Sequence, residues 1–537
     1  MSVPPAGRPG PDYDVVVVGA GSIGQLTALM LANKGHRVAV LDKQPAPYPL
    51  PRAVGISGEG MRLLQIAGLS NVMDEVIERI PPEAGHGVWL AADGTEIFRH
   101  PIPNSDEGAG WPGFAGFSQP DLERILEDRL AGHPGVDLRR GQLVTSVSQD
   151  ADRALVTARA FNTQLPSAAS AGTETLTARL VLGCDGANSV VREFMDTSVE
   201  DLGFSFDWLV VDVQSNDGRV WDPPFAQIVD PARPATAVCG GAPGRRRFEF
   251  MRLPGEPIEE LNRADTAWKL LARWNLDADN STLLRHAVYA FCGQWATSWH
   301  HGRLILAGDA AHLMPPFLAQ GFNSGVRDVA ALAWRADLVL SNRAPLDIFA
   351  SYTSERLPHV RQIIEEAVQI GRMLCITDPD EAAERDQLML AARDHPEIVP
   401  PPPTWRLGPG LGAHDDPGAG VLGIQAIVEH DGRTGLFDDV FGGGRFVMLS
   451  RAGDPRGVLG EFAAHAWGLL GGVTATFGSG GDTTDVGQAY ARWFTELDAD
   501  LIVLRPDFNV LATARQIQDA DRLITNLAEA LQLSDPP

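Results

Sequence analysis

The first strong pattern along the chain is an unbroken apolar run, Val15 to Val18. Such a run reads as a strand buried on both faces, since a half-exposed strand would alternate. A turn follows at Gly19-Ala-Gly21-Ser-Ile-Gly24, and the periodicity then predicts a helix from Ile23 to Lys34 and a second buried strand over Arg37–Leu41, ending at Asp42. Gly19 lets the chain reverse, Gly21 lets the backbone approach a pyrophosphate, and Gly24 lets the helix lie close on the strand. Free N–H groups at the helix start favour a diphosphate. The carboxylate of Asp42, with Lys43 beside it, suits a dinucleotide ribose. This segment alone fits FAD and NAD equally.

The buried-strand pattern returns at Leu180–Gly186 and at Leu304–Ala307, the latter running into Gly308-Asp309-Ala-Ala-His312. Ligands of open α/β sheets bind at strand ends, and a carboxylate there accepts hydrogen bonds from a polyol such as the ribityl chain. That decides the dinucleotide in favour of FAD. Pro315-Pro316 stiffens the next segment, and Gly321-Phe322-Asn323 opens a helix reaching Leu340. Its free N–H groups would stabilise a reduced, anionic flavin. Further helices are predicted over Gln119–Ala131 and Ile348–Leu374. Between Trp208 and Tyr289 the period changes to two, as in Leu209-Val-Val-Asp-Val and Arg247-Phe-Glu-Phe-Met, which predicts a mostly antiparallel sheet. Arg247 and Glu249 alternate on one face there as a candidate ion pair. Past a proline-glycine connector, the pattern gives a strand at Arg445–Ser450, a helix at Gln488–Leu497, a strand at Asp500–Leu504 and a final helix over Ala512–Leu531.

A chain of 537 residues exceeds one ordinary core. We expect a FAD-binding domain in two parts, 1–207 and 291–398, a substrate-side sheet domain at 208–290, a linker at 399–420 and a C-terminal domain at 421–537. A net charge of −25 disfavours nucleic acid and anionic membranes as partners. No segment reaches the about 18 apolar residues of a membrane span, and the start of the chain lacks a signal-like apolar core. The expected location is the cytoplasm, with a frayed N-terminus. Cys184, Cys239, Cys292 and Cys375 are widely spaced, so no metal site is expected. None lies beyond residue 420, which excludes thiol–disulfide exchange by the last domain.

Three motifs, Gly19/Gly21/Gly24, Cys184-Asp-Gly-Ala-Asn-Ser-Val-Val-Arg192, and Gly308–His312 with Pro315-Pro316 and Gln320-Gly-Phe-Asn323, together resemble those of group A FAD-dependent aromatic hydroxylases of the para-hydroxybenzoate hydroxylase-like fold. Tyr48-Pro-Leu-Pro-Arg-Ala-Val-Gly-Ile56, Arg246–Met251 and Leu504–Asp507 are most similar to bacterial 3-(3-hydroxyphenyl)propionate hydroxylases. The resemblance implies an α/β fold: a Rossmann-like FAD-binding domain, an interleaved antiparallel-sheet substrate domain and a thioredoxin-like C-terminal domain. It implies that Asp309 holds the ribityl chain, that Gly321, Phe322 and Asn323 meet the flavin ring, and that Pro316 lies beside the reactive carbon. Arg52 and Gln119 are implied to contact FAD, Val144 to bracket the adenine, and Asp185-Gly186 to serve both FAD and nicotinamide. Asp185 could also be only a turn former, and His312 a buried structural residue. Departures are Asp42 for Glu, Ser22-Ile23 for Pro-Val, Ala319 for Gly, and Ala331 and Arg335 where Asn and Lys are frequent.

The activity implied is hydroxylation of a phenolic ring with NAD(P)H and O2 through a flavin C4a-hydroperoxide, on a 3-(3-hydroxyphenyl)propionate-like substrate. Tyr289, on a strand leading into the flavin motif, is the candidate proton relay, and Arg247 the candidate partner of a phenolate or carboxylate. Two alternatives stand beside this reading: a related hydroxylase of a polyketide or antibiotic, and a non-catalytic flavin-binding redox sensor or assembly protein. A homodimer is the expected assembly.

Overall fold

The computed structural model describes residues 10–49, 52–81, 84–103, 105–106, 108–161, 172–398, 404–412 and 415–535. The frayed segment expected before residue 10, Leu50-Pro51 of the Tyr48–Ile56 motif, and the first residues of the connector, 399–403, lie outside them.

Tyr13–Val18 forms the middle of the first sheet because its valines have no polar face to offer water. Val15, Val16 and Val17 are fully buried. Val38–Asp42 and Thr173–Gly183 pair with it in parallel, and Val136–Arg140 and Leu304–Leu306 extend the sheet on either side, also in parallel. Parallel pairing brings the carboxyl ends of these strands to one edge, where Asp42 ends its strand and Gly19, Cys184 and Ala307 follow theirs.

The second sheet runs in the order Glu96–Pro101, His86–Leu90, Phe225–Ile228, Ala235–Cys239, Arg245–Met251, Val199–Ser215, Ser281–Ala296, His312–Leu313. Every pairing is antiparallel except that of Phe225–Ile228 with His86–Leu90. Two of its strands, at 86–101, precede the stretch in which the period-two pattern is obvious. The two longest, Val199–Ser215 and Ser281–Ala296, lie side by side along most of their length.

The last part carries its own sheet, ordered Val473–Thr476, Val447–Ser450, Leu501–Leu504, Val510–Ala514. The first two are parallel and the others antiparallel. One expectation needs correcting: residues 512–531 are not one helix. Val510–Ala514 is a strand paired with Leu501–Leu504, and the helix is Ala520–Ala530. Leu511-Ala-Thr-Ala514 is a short apolar run whose helix-favouring leucine and alanines yield to pairing with a buried neighbouring strand.

This C-terminal part is bolted to the first sheet's helices by buried ions. Glu355, on the Phe349–Leu374 helix, accepts from Arg335 at 2.6 Å and from Arg505 at 2.9 Å, and Arg505 also holds Asp507, which accepts from the Trp334 indole. The connector joins the same point, where Leu411 N–H donates to the Glu355 carboxylate and Gly408 N–H to its carbonyl. Among the described residues no helix is long and apolar enough to cross a membrane, and no cluster suits a metal ion.

Candidate active site

A cavity of about 1050 Å³ lies between the glycine turn, the start of the Gln320–Leu340 helix and one face of the second sheet. The three glycines of the turn do different work. A Cβ on Gly24 would stand 1.9 Å from the Gly19 carbonyl, and one on Gly19, whose φ is +101°, would stand 2.4 Å from the Cys184 carbonyl. Both therefore permit backbone contact between turn, helix and strand. Gly21 faces the cavity instead, and its nearest neighbour would be the Arg52 guanidinium at 3.4 Å. Its open side is a cradle that any side chain would fill.

Beside Gly21, Gln119 and Arg52 line the cavity. Gln119 is fixed by accepting from Ala53 N–H at 2.7 Å and donating to Glu123 at 2.8 Å. Glu123, buried and unforeseen as a site residue, also accepts from Ser22 N–H and hydroxyl. Arg52 stands 3.7 Å from it, half exposed, so the cation faces the turn where an anion would sit. Gly186 and Asp309 line the next stretch. Asp309 is exposed to the cavity, and its carboxylate has no hydrogen-bond partner among the described residues.

The remaining expected cofactor residues stand off the cavity lining. Asp42 clasps the turn by accepting from Ala20 N–H at 2.6 Å and from Gln44 N–H at 2.7 Å. Lys43 is exposed beyond that strand's end, and Val144 is buried on Gln142–Gln149. Asp185 accepts from Ser189, Val190 N–H and Val191 N–H, an arrangement that caps a one-turn helix. Burial still raises its carboxyl above the usual range. The side chain of Asn323 is spent on Ser57 N–H and the Ala319 carbonyl. His312 is buried against Asp328 at 2.7 Å, which Arg356 also holds.

Pro316, Gly321 and Phe322 line the centre of the cavity. The chain enters the Gln320–Leu340 helix through Ala319 at φ +53°, a left-handed conformation that favours glycine. The first N–H groups of that helix lack intrahelical partners and carry its positive end. Phe317, also on the lining, packs edge-on against Trp208 and Phe291, with ring centroids 5.7 and 6.0 Å apart, an apolar wall of the site.

Opposite these residues the second sheet presents a polar belt. Arg247 is buried and pairs with Asp212 through both ends, at 2.8 and 3.1 Å, while donating to the Arg52 carbonyl. It is not paired with Glu249 as the alternation suggests. The carboxylate comes from the neighbouring strand, where Asp212 is in register with Arg247. Arg285 stands 3.6 Å from the same Asp212 and lies over the Tyr289 ring, 4.7 Å from its centroid. The Tyr289 hydroxyl is 3.4 Å from that of Tyr48, which is 39% exposed. Burial raises the Tyr289 phenol. Asp212 was legible as a lone charge inside an apolar strand. Arg285 gave no comparable signal.

An open anion cradle, a carboxylate waiting at a strand end and a helix start over a largely apolar pocket fit a flavin dinucleotide, so fold and site define a flavin-dependent oxidoreductase. Residues 12–367 match the family described as FAD binding domain, and 420–530 the HcaD C-terminal domain. A probable NADH-specific resorcinol 4-hydroxylase of Rhodococcus jostii is 36% identical, covering 98% of this chain and 96% of the relative. A 3-(3-hydroxy-phenyl)propionate/3-hydroxycinnamic acid hydroxylase of Mycolicibacterium gilvum is 33% identical over 97% and 92%. The flavin-dependent monooxygenase PieE, solved with FAD and substrate, shares the fold at a TM-score of 0.81 and 20% identity, covering 97% of this chain and all of that one. The chain belongs to the FAD-binding family of aromatic-ring hydroxylases. Its cofactor is FAD.

Proposed function

We propose that the substrate is a phenol with a second polar group meta to its hydroxyl, such as resorcinol or 3-(3-hydroxyphenyl)propionate. The observation that carries this is the belt of Arg247, Asp212, Arg285, Glu249 and Tyr289 on an otherwise largely apolar wall of the cavity. The names of the two relatives support it, since both describe meta-substituted phenols. Bound FAD, once reduced by NAD(P)H, supplies the oxygen chemistry. The protein's share is binding, orientation and exclusion of water. Arg52, Gln119 and Asp309 hold the dinucleotide; Gly321, Phe322 and Asn323 offer backbone N–H groups to its ring; Pro316 borders the reacting edge. Asp42, Lys43 and Val144 serve the adenosine half, and Gly186, next to the capping Asp185, borders the path of the nicotinamide. Tyr289 hydrogen-bonds the ring hydroxyl and connects it through Tyr48 to solvent, while Arg247 and Arg285 favour an anionic ring.

The test is NAD(P)H oxidation across a panel of simple phenols and polycyclic polyketides, with peroxide quantified. Meta-substituted phenols should stimulate oxidation with little peroxide. Tyr289→Phe should keep FAD yet raise the peroxide fraction, and Arg247→Ala should weaken substrate binding. Turnover with polyketides alone would transfer the chain to the antibiotic-modifying branch, and FAD binding without any turnover to a sensor role. The proposal extends to a thioredoxin-like C-terminal domain, supported by its parallel-then-antiparallel strand order. It also extends to a cytoplasmic homodimer, the compartment being supported by four free cysteines.

A further inference from the structure

One carboxyl of the belt, that of Glu249, stands outside the hydrogen bonds and ion pairs formed among the described residues. Glu249 is 6% exposed and lines the cavity, with Val210 and Thr236 beside it in register on the flanking strands. The Thr236 hydroxyl is spent on the side-chain amide oxygen of Gln227 at 2.6 Å, so it does not donate to Glu249. Arg247 is taken by Asp212 and by the Arg52 carbonyl, and Arg285 leans on Asp212 and the Tyr289 ring. Glu249 itself makes no hydrogen bond or ion pair among the described residues.

Charge gives this vacancy a meaning. Two guanidiniums, Arg247 and Arg285, face one paired carboxylate, Asp212, so the belt is neutral only when Glu249 is ionised. A neutral phenol entering beside it can hand over its proton without changing that balance. The phenol O–H bond breaks, the carboxyl O–H bond forms, and the negative charge moves to the ring oxygen, still opposite the same two guanidiniums. No electron is gained or lost, and no net charge is created in a dry cavity, where it would be costly. Tyr289 can pass a proton toward Tyr48 but cannot keep one, because its hydroxyl already carries its own.

We propose that Glu249 accepts the hydroxyl proton of the bound phenol and so generates the phenolate that is hydroxylated. This rests on the hydroxylase reading above. Burial pushes the Glu249 carboxyl up to about 7, with Arg247 and Arg285 pulling it down and Asp212 pushing it up. A proton acceptor works best when its own affinity for the proton is near the working pH.

The experiment uses the FAD-loaded full chain with resorcinol, or the panel phenol it hydroxylates best, and measures product formation from pH 6 to 8 in the wild type, Glu249→Gln and Glu249→Asp. The wild-type rate should rise with pH and level off above an inflection near 7. Glu249→Gln should lose on the order of 10²-fold in rate together with the inflection, whereas Glu249→Asp should keep an inflection at a shifted pH. A phenol already ionised in solution, 4-nitrophenol at pH 8, should bind Glu249→Gln at least as tightly as the wild type, because it needs no acceptor and the variant's two guanidiniums face one carboxylate fewer. Wild-type rate and inflection in Glu249→Gln would overturn the proposal. So would a wild-type profile without an inflection, a result that needs no variant to fold. If no phenol is turned over by the wild type, the hydroxylase reading fails instead.

Discussion

Two glycines of one turn should fail in opposite ways when substituted. Gly21 has φ −78° and ψ 179°, extended backbone open to any residue, and a Cβ there would meet nothing closer than Arg52 at 3.4 Å. Gly21→Val should therefore leave the folding free energy of the apoprotein within about 1 kcal/mol of wild type. The valine methyls would occupy the side from which the pyrophosphate approaches, so FAD retention should be lost. Gly24→Ala places its Cβ 1.9 Å from the Gly19 carbonyl, and the helix must retreat by about 1 Å from strands that are fully buried. That overpacking should cost roughly 1–3 kcal/mol before any ligand is added. Urea denaturation of apoprotein with and without FAD separates the two. At a free FAD concentration of about 100 times Kd, the wild type should gain about 2.7 kcal/mol, Gly21→Val nothing, and Gly24→Ala should start lower yet still gain. Full flavin absorbance in a folded Gly21→Val protein would refute the assignment of this turn.

Stability should also report on Glu249. Its carboxyl is raised from 4.5 to about 7 in the folded state, so the native protein holds the proton more tightly than the unfolded chain. The favourable contribution is complete below about 4.5 and is lost as pH rises through about 7, on the order of 3 kcal/mol in all. Glu249→Gln should flatten that part of the stability profile, and parallel urea midpoints across the range would contradict it. Glu355→Ala should destabilise by about 3–5 kcal/mol, since it leaves the buried guanidiniums of Arg335 and Arg505 short of a carboxylate; a loss under about 1 kcal/mol would count against the role given to this network. The full chain should not reduce insulin disulfides, because its C-terminal domain has no cysteine and burial raises all four thiols elsewhere, keeping them protonated; reduction above background would contradict this.

What the sequence made legible was local. The glycine turn, the flanking valine strands, Asp309 and the helix after Pro316 depend on residues within one strand–turn–helix unit, and the helix predicted over Gln119–Ala131 is observed with those bounds. The belt was legible only in part. Its geometry depends on register between strands tens of residues apart, such as Asp212 with Arg247 and with Arg285, and spacing within one strand carries no register. Alternation suggested Arg247 with Glu249, but neighbours on one strand face compete with closer partners across it. Glu123 was hidden for the same reason: on a charged helix it looks solvated until Ser22 and Gln119 are packed around it.

The Gln320–Leu340 helix ties these parts into one device. At 1.5 Å per residue, roughly 20 Å of this 21-residue helix separate the N–H groups at Gly321 and Phe322 beside the cavity from Trp334 and Arg335 at the C-terminal domain. The far end is locked by Asp507, Glu355 and Arg505. Electrostatic stabilisation of a charge that appears only during reaction requires dipoles already in place, and a helix fixed at both ends supplies them without reorganising. A domain with no thiol and no residue in the cavity lining still has a reason to be there: it sets where that helix points. Glu355→Ala bears on this as well as on stability, because an intact flavin site with weakened FAD binding would connect the distant lock to the cofactor, whereas unchanged binding in the folded variant would confine the network to holding the domains together.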